Sequence, residues 1–277
     1  MAHGAVSSDR QYRVPVIGST GKTGRRIVRR LTDLGHPVRG ASRRTDPPFD
    51  WERPETWPAV LDGVEAAYVT YYSDLAAPEA PAAIEAFTKA AAAAGVQRLV
   101  LLSGRGEHHA ESCEDIVRES GLGYTLVRSA WFAQNFGEDE LRQGVLDGAV
   151  VLAAGSVAEP FVDVEDIADV AVAALLDERH AGRLYDVTGP RLLTFAEAAV
   201  ELAAASGRPV TYVPVTVEEL RAALAGHPQG DLFADLCGEV FDGRNASLGT
   251  GIRDALGREP RDFADYCRAA AAAGAWR

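Results

Sequence analysis

The chain has 277 residues, 47% of them hydrophobic, enough to bury a full core in one large α/β unit with a smaller lobe. Its 28 Lys and Arg stand against 40 Asp and Glu, and the net charge of −12 disfavours a phosphate-backbone partner, so no nucleic acid is expected and any basic cluster needs a local purpose. Three scattered cysteines (Cys113, Cys237, Cys267) give neither a disulfide framework nor a C-x-x-C metal site, and no run approaches the ~20 apolar residues of a membrane span; a cytoplasmic protein without bound metal or membrane contact is expected.

Residues 1–11 are polar and lack the apolar core of a signal peptide, so 1–12 are expected to be a disordered tail. The apolar run Val14-Pro15-Val16-Ile17 then enters Gly18-Ser19-Thr20-Gly21-Lys22-Thr23-Gly24, which passes directly into the helical pattern of 25–31. A strand, a glycine turn and a helix start form a phosphate site: glycine lets a pyrophosphate approach the backbone, and the helix start offers free N–H groups and a positive dipole end. Gly18, Ser19, Thr20, Gly21, Lys22, Thr23 and Gly24 are therefore expected to hold a dinucleotide. A nucleoside-triphosphate loop is set aside because it needs glycine where Val16 stands.

The first helix should end at Gly35, and 37–42 reads as the second strand, closed by Arg43-Arg44. An acid at this strand end binds the ribose hydroxyls of NAD, whereas arginine accommodates the 2′-phosphate of NADP. Ser42-Arg43-Arg44 carries no acid, so NADP(H) is the expected cofactor. A short amphipathic piece at 54–61 precedes a buried strand at 66–72, which brings Thr70, Tyr71 and Tyr72 to the ligand end of the sheet. Helices are expected over 82–94 and 111–119 and strands over 98–103 and 124–128, and this alternation predicts a doubly wound, Rossmann-like parallel sheet. Ser103 ends one of these strands, where it either touches the nicotinamide or substrate or caps the chain locally.

Trp131-Phe132-Ala133-Gln134-Asn135-Phe136 follows the last of them and reads as core or as binding wall. Acids at Asp163, Glu165 and Asp166 open a helix over 167–176, where the dipole favours them, and 183–189 is a last sheet strand. Thr194-Phe195-Ala196-Glu197 is a capping box. Beyond it the chain is mostly helical, with a strand over 210–213 and helices over 217–224, 231–241 and 263–273. The expected division is a cofactor domain of 13–150 plus 161–190 and a substrate lobe of 151–160 plus 191–277.

Gly18-Ser19-Thr20-Gly21-Lys22-Thr23-Gly24, Leu101-Leu102-Ser103, Glu114 leading to the run Ser120 to Arg128, and Phe161-Val162-Asp163-Val164-Glu165-Asp166-Ile167-Ala168 resemble the landmarks of the NmrA-like branch of the atypical short-chain dehydrogenase/reductase superfamily. Ala41-Ser42-Arg43-Arg44, Phe49-Asp50-Trp51, Glu55-Thr56-Trp57, Trp131-Phe132 and Asn135-Phe136 are similar, more narrowly, to the festuclavine and agroclavine dehydrogenases. That resemblance implies NADPH-dependent reduction of an iminium. Ser129 departs from it, standing where the family usually has proline.

Ordinary short-chain dehydrogenases use Tyr-x-x-x-Lys, in which lysine lowers the pKa of the tyrosine that protonates an alkoxide. The lysines of this chain are Lys22 and Lys89; Glu85 stands four before Lys89, and Lys22 lies in the glycine turn. At the usual position of the tyrosine the chain reads Glu107-His108-His109-Ala110; His108 or His109 is either a substitute acid or, the more common case for two adjacent histidines at a helix start, a solvated cap. The leading expectation is a reductase of iminium-type acceptors with Ser103 and Trp131 at the reacting centre and Tyr72, Trp131, Phe132 and Asn135 against a small-molecule substrate. Quinone or enone reduction, and a non-catalytic NADP-binding sensor, are the alternatives. The sequence does not set the oligomeric state.

Overall fold

The computed structural model describes residues 14–138 and 140–277; the expected tail lies outside them. Ten strands and twelve α-helices occur among the described residues. The first half runs β1 (Val14–Ile17), α1 (Lys22–Asp33), β2 (Val38–Ala41), α2 (Trp57–Leu61), β3 (Ala66–Val69), α3 (Ala80–Ala93), β4 (Arg98–Gly104), α4 (His108–Glu119) and β5 (Gly123–Ser129). It continues with α5 (Asn135–Glu138), α6 (Glu140–Asp147), β6 (Ala149–Leu152), β7 (Ala158–Glu159), α7 (Val164–Leu176), β8 (Arg183–Val187) and β9 (Leu193–Thr194). The end of the chain is α8 (Phe195–Ser206), β10 (Thr211–Pro214), α9 (Val217–Ala223), α10 (Gly230–Val240), α11 (Gly251–Leu256) and α12 (Phe263–Ala272).

Six strands form one parallel sheet in the order β2-β1-β3-β4-β5-β8. Successive side chains of a strand point to opposite faces. Val16, Tyr68, Val100 and Val127 therefore enter one apolar layer with α1 and α7, while Ile17, Val69, Leu101 and Leu126 enter the other with α2, α3 and α4. Both faces are covered, as the apolar runs require, and the sheet is the doubly wound one expected. From β1 the chain moves outward to β2, then crosses back to place β3 on the far side of β1. Ligands of such sheets bind in the crevice opened by that reversal.

Several expected boundaries shift for local reasons. The strand expected to reach 72 stops at Val69, and the Thr70 carbonyl accepts instead from the Trp51 indole N–H at 3.2 Å. Helix α4 begins at His108 rather than 111, with the His108 N–H satisfied by a Glu239 carboxylate oxygen at 2.8 Å. Strand β6, which pairs in parallel with β10, and helices α5, α6 and α11 have weak patterns and were not anticipated. Ser129 keeps β5 paired to its last residue, opposite Gly104 on one side and Val187 on the other.

A third apolar cluster gathers Phe136, Phe161, Phe195, Phe241, Phe263 and Trp276, with residues from α6, β6, α8, α10 and α12. It draws Ala133, Phe136, Leu141, Val145 and Val150 from before residue 151. Charge holds α1 against α7 and α5: Arg26 meets Glu165 of α7 at 2.6 Å and Glu138 of α5 at 2.6 Å, and Arg30 meets Asp169 of α7 at 2.6 Å. The acids opening α7 thus do more than complement its dipole. Asp163 caps the helix through the Glu165 N–H at 2.8 Å, and fully buried Asp166 accepts from Arg258 at 2.6 Å and from the Arg261 backbone N–H at 2.7 Å.

Glu114 is fully buried on α4 and accepts from Arg128 Nε of β5 at 2.9 Å and from Arg118 at 3.0 Å. Removing one member of a buried pair strands the other charge. Glu114→Ala is expected to cost about 3 kcal/mol in urea unfolding. A loss under ~1 kcal/mol would mean that water takes over the Arg128 guanidinium.

Candidate cofactor and active site

The turn after β1 depends on two glycines. Gly18 has φ +74°, and a Cβ there would collide with the Thr70 methyl group. A Cβ on Gly24 would overlap the Gly18 carbonyl and lie 2.9 Å from Ser19 Cα. These two let α1 start directly over the end of β1. Gly21 differs: its φ of −76° suits any residue, and a Cβ would meet the Gly18 carbonyl oxygen at 3.3 Å. Gly21 is exposed and caps α1 with no side-chain bond, and the first turn carries no acid. The helix start thus keeps its positive end bare beside a position without a side chain, a cradle that fits a pyrophosphate. Thr20 is exposed and Ser19 half-buried beside it, whereas the Thr23 hydroxyl is buried and accepts from Tyr68 OH at 2.8 Å.

The arginine turn adjoins this cradle. The N–H groups of Gly18 and Ser19 donate to the Ala41 carbonyl at 2.9 and 3.2 Å, which ties the glycine turn to the end of β2. Ser42 then folds a tight turn in which its N–H donates to Thr45 Oγ1 at 2.9 Å and its Oγ accepts from the Arg44 N–H at 3.2 Å. Arg43 and Arg44 are exposed, and among the described residues neither enters an ion pair. The Arg43 guanidinium lies 4.8 Å from the centre of the Tyr72 ring, a cation–π contact. Phe49, Trp51 and Trp57, singled out by the narrower resemblance, pack with Phe87 under this loop and are structural; Phe49 lies 5.1 Å from Trp51, and Trp51 lies 5.2 Å from Phe87.

At the other strand ends the expected residues separate by role. Tyr71 is half-buried against Trp51 at 5.0 Å, and Tyr72 is exposed. Ser103 is buried at the end of β4 with no hydrogen-bond partner for Oγ among the described residues. Lys22 and Asn135 come together, with Nζ donating to Oδ1 at 2.8 Å, and the Lys22 ammonium sits 5.9 Å from the Phe132 ring centre. Trp131 is half-buried and joins both readings of its cluster: its ring packs 4.8 Å from Phe241, while its buried Nε1 has no partner among the described residues. Phe136 is core, 5.6 Å from both Phe161 and Phe263. His108 is exposed and His109 half-buried at the start of α4, their rings 5.4 Å apart.

Acids that the sequence reading passed over also face this end of the sheet. The Glu107 carboxyl, in the loop after β4, lies where a Cβ on Gly104 would stand and shares a hydrogen bond with Asp74 from the loop after β3. Burial first, then the charges of Asp74 and Glu239, push the Glu107 pKa well above the ordinary range; burial also raises Asp74. Two such carboxyls hold a proton between them. The folded protein keeps this proton above the ordinary glutamate value of about 4.3, so the stability it provides is complete at acid pH and is lost as the pH rises above that value. Glu107→Gln is expected to melt with wild type at pH ~4 and at increasingly higher temperature than wild type toward pH ~8. A pH-independent difference in calorimetry would exclude the shared proton.

Among the described residues no helix is long and apolar enough to cross a membrane, and no cluster of His, Cys, Asp or Glu is built to hold a metal. Residues 18–178 match the NAD(P)H-binding family. The chain is 31% identical to an NAD(P)H azoreductase of Xenophilus azovorans over 93% of its own length and 98% of that protein's, and 31% identical to an agroclavine dehydrogenase of Claviceps fusiformis over 90% and 94%. Its fold is similar to that of a Citrobacter triphenylmethane reductase solved with NADP(H), with a TM-score of 0.77, 22% identity, and coverage of 94% of this chain and 100% of that one. The sheet, the glycine cradle and these full-length similarities agree: the chain belongs to the NAD(P)H-binding, NmrA-like family and is an NAD(P)H-dependent oxidoreductase.

Proposed function

We propose that this protein is an NADPH-dependent reductase that transfers hydride to an iminium or imine-type small molecule, by positioning rather than by Tyr-x-x-x-Lys acid catalysis. The observation that carries the reading is the half-buried Trp131 and Phe132 at the end of β5, near the crevice and without a tyrosine–lysine pair. The lysines are committed elsewhere: Lys22 donates to Asn135 and Lys89 to Glu85 on the surface of α3 at 2.7 Å. Two relatives of nearly full-length overlap are named for azo reduction and for agroclavine dehydrogenation, which supports a nitrogen-containing unsaturated acceptor.

In this reading Gly18, Ser19, Thr20, Gly21 and the start of α1 hold the pyrophosphate, and Arg43 and Arg44 hold the 2′-phosphate. Thr70, Tyr71 and Ser103 line the path to the nicotinamide. When bound, NADPH supplies the hydride. The lobe of 151–160 plus 191–277, joined by the side chains of 133–150 that pack with it, closes over the acceptor. Trp131, Phe132, Tyr71 and Tyr72 offer ring faces to a cation, each contact worth about 0.5–2 kcal/mol. An iminium carries its charge before the reaction and leaves as a neutral amine, so alignment at near-attack distance does the work.

Two experiments test this. Replacing Arg43 and Arg44 together with alanine removes charge-assisted bonds worth about 1.5–3 kcal/mol, so NADPH is expected to bind roughly 10–100-fold more weakly with NADH little changed. Equal weakening of both in fluorescence titration would remove these arginines from cofactor choice. In steady-state assays a cyclic iminium is expected to be reduced at least ~100-fold faster than the matching ketone, whose alkoxide needs a proton. Trp131→Ala should raise KM or lower kcat for the iminium, and His108→Ala and His109→Ala should change little. Comparable ketone rates, or loss of activity with either histidine, would overturn the assignment.

A further inference from the structure

Glu159 closes the short strand β7 and is 1% exposed, yet its Oε1 has no hydrogen-bond partner among the described residues. Its cross-strand neighbour on β9 is the apolar Leu193. A buried carboxyl oxygen without a partner costs free energy and calls for an explanation beyond packing.

The surrounding backbone fixes where this carboxyl stands. The Pro160 carbonyl accepts from the Gly189 N–H at 3.0 Å, just past the end of β8. The Val162 N–H donates to the Trp131 carbonyl at 3.0 Å, and the Ala133 N–H to the Val162 carbonyl at 2.8 Å, just past the end of β5. The charge acting on Glu159 is the Arg105 guanidinium, from the loop after β4. Glu159 is therefore bracketed by the ligand ends of β4, β5 and β8. A dinucleotide whose pyrophosphate rests over β1 extends its reactive end across the crevice toward this side.

The other charges on the packed elements are already engaged. Asp186 of β8 pairs with Arg105 at 3.0 Å, Arg191 pairs with Asp262 at 2.7 Å and Glu201 at 2.6 Å, and Asp163 accepts from Gln134 at 2.7 Å. Burial pushes the Glu159 carboxyl up to about 7, against the opposing pull of Arg105. Such a group holds a proton near neutral pH and releases it to a base brought within hydrogen-bond distance.

We propose that the Glu159 carboxyl is the proton donor to the acceptor nitrogen. The inference rests on the reading of the crevice as a site of C=N reduction, and it extends that reading from preformed iminium ions to neutral imines. The proton passes from Glu159 to the imine nitrogen, leaving an iminium beside a carboxylate. The iminium carbon receives the hydride, an amine results, and the carboxylate regains a proton from water. A ketone oxygen is too weakly basic to be protonated in advance, so iminium-type acceptors keep their advantage.

The test compares 3,4-dihydroisoquinoline with its N-methyl iminium ion in wild type and in Glu159→Gln. The variant is expected to lose about 100-fold in kcat on the neutral imine while the N-methyl ion, which needs no proton, is reduced within about threefold of the wild-type rate. Equal losses on both acceptors, or no loss on the imine, would overturn the proposal. Infrared difference spectra of wild type against Glu159→Gln provide a readout without turnover: a protonated-carboxyl band should disappear as the pH rises through about 7. Absence of that band would also overturn it. If neither compound were reduced while the band titrated as expected, the C=N reading would fall and the proton-holding role of Glu159 would stand.

Discussion

The close approach of the Gly18–Gly24 turn to its surroundings is the constraint on which the rest of the molecule depends. A methyl group at Gly18 would strike Thr70, and one at Gly24 would strike the Gly18 carbonyl. Without either, α1 starts immediately above β1, its N-terminus sits in the crevice between β1 and β3, and the Gly18 and Ser19 N–H groups reach the Ala41 carbonyl. That last pair of bonds sets the turn of Ser42, Arg43 and Arg44 beside the cradle. In the proposed reading, cofactor recognition is built from backbone geometry first and side-chain chemistry second.

Charge is distributed to match. Helix α1 is strongly basic in an acidic chain, but Arg26 and Arg30 are taken up by Glu138, Glu165 and Asp169. These ion pairs fasten the cradle helix to α7 and, through Glu138, to α5, whereas Arg43 and Arg44 enter no ion pair among the described residues. Acid elsewhere is satisfied in the same way, as at Asp166 between Arg258 and Arg261. Against this background the carboxyls of Glu107 and Glu159 stand out, because burial, which at Glu159 outweighs the pull of Arg105, keeps each in its protonated form to higher pH than an ordinary glutamate. They lie on the loop after β4 and on the strand leading into the third apolar cluster, at the same end of the sheet as Ser103 and Trp131.

What the sequence determined by itself was local or periodic. Alternating apolar runs gave the parallel sheet and its two covered faces, the glycine spacing marked the tight turn between β1 and α1, the paired arginines stood at a strand end, and Thr194-x-x-Glu197 forms the capping box it spells. These signals are legible because each is enforced over a few neighbouring residues by backbone sterics or by the pleat. Tertiary structure decided the return of the chain across β1 to β3, the inward turn of Thr23 to Tyr68, the separation of half-buried Trp131 from buried Phe136, and the meeting of Lys22 with Asn135 across 113 positions. It also decided the protonation of Glu107 and Glu159, for which the sequence offers only an acid in the apolar stretch Val157-Ala158-Glu159-Pro160-Phe161. Desolvation depends on what distant segments pack over a group, and no spacing along the chain encodes it.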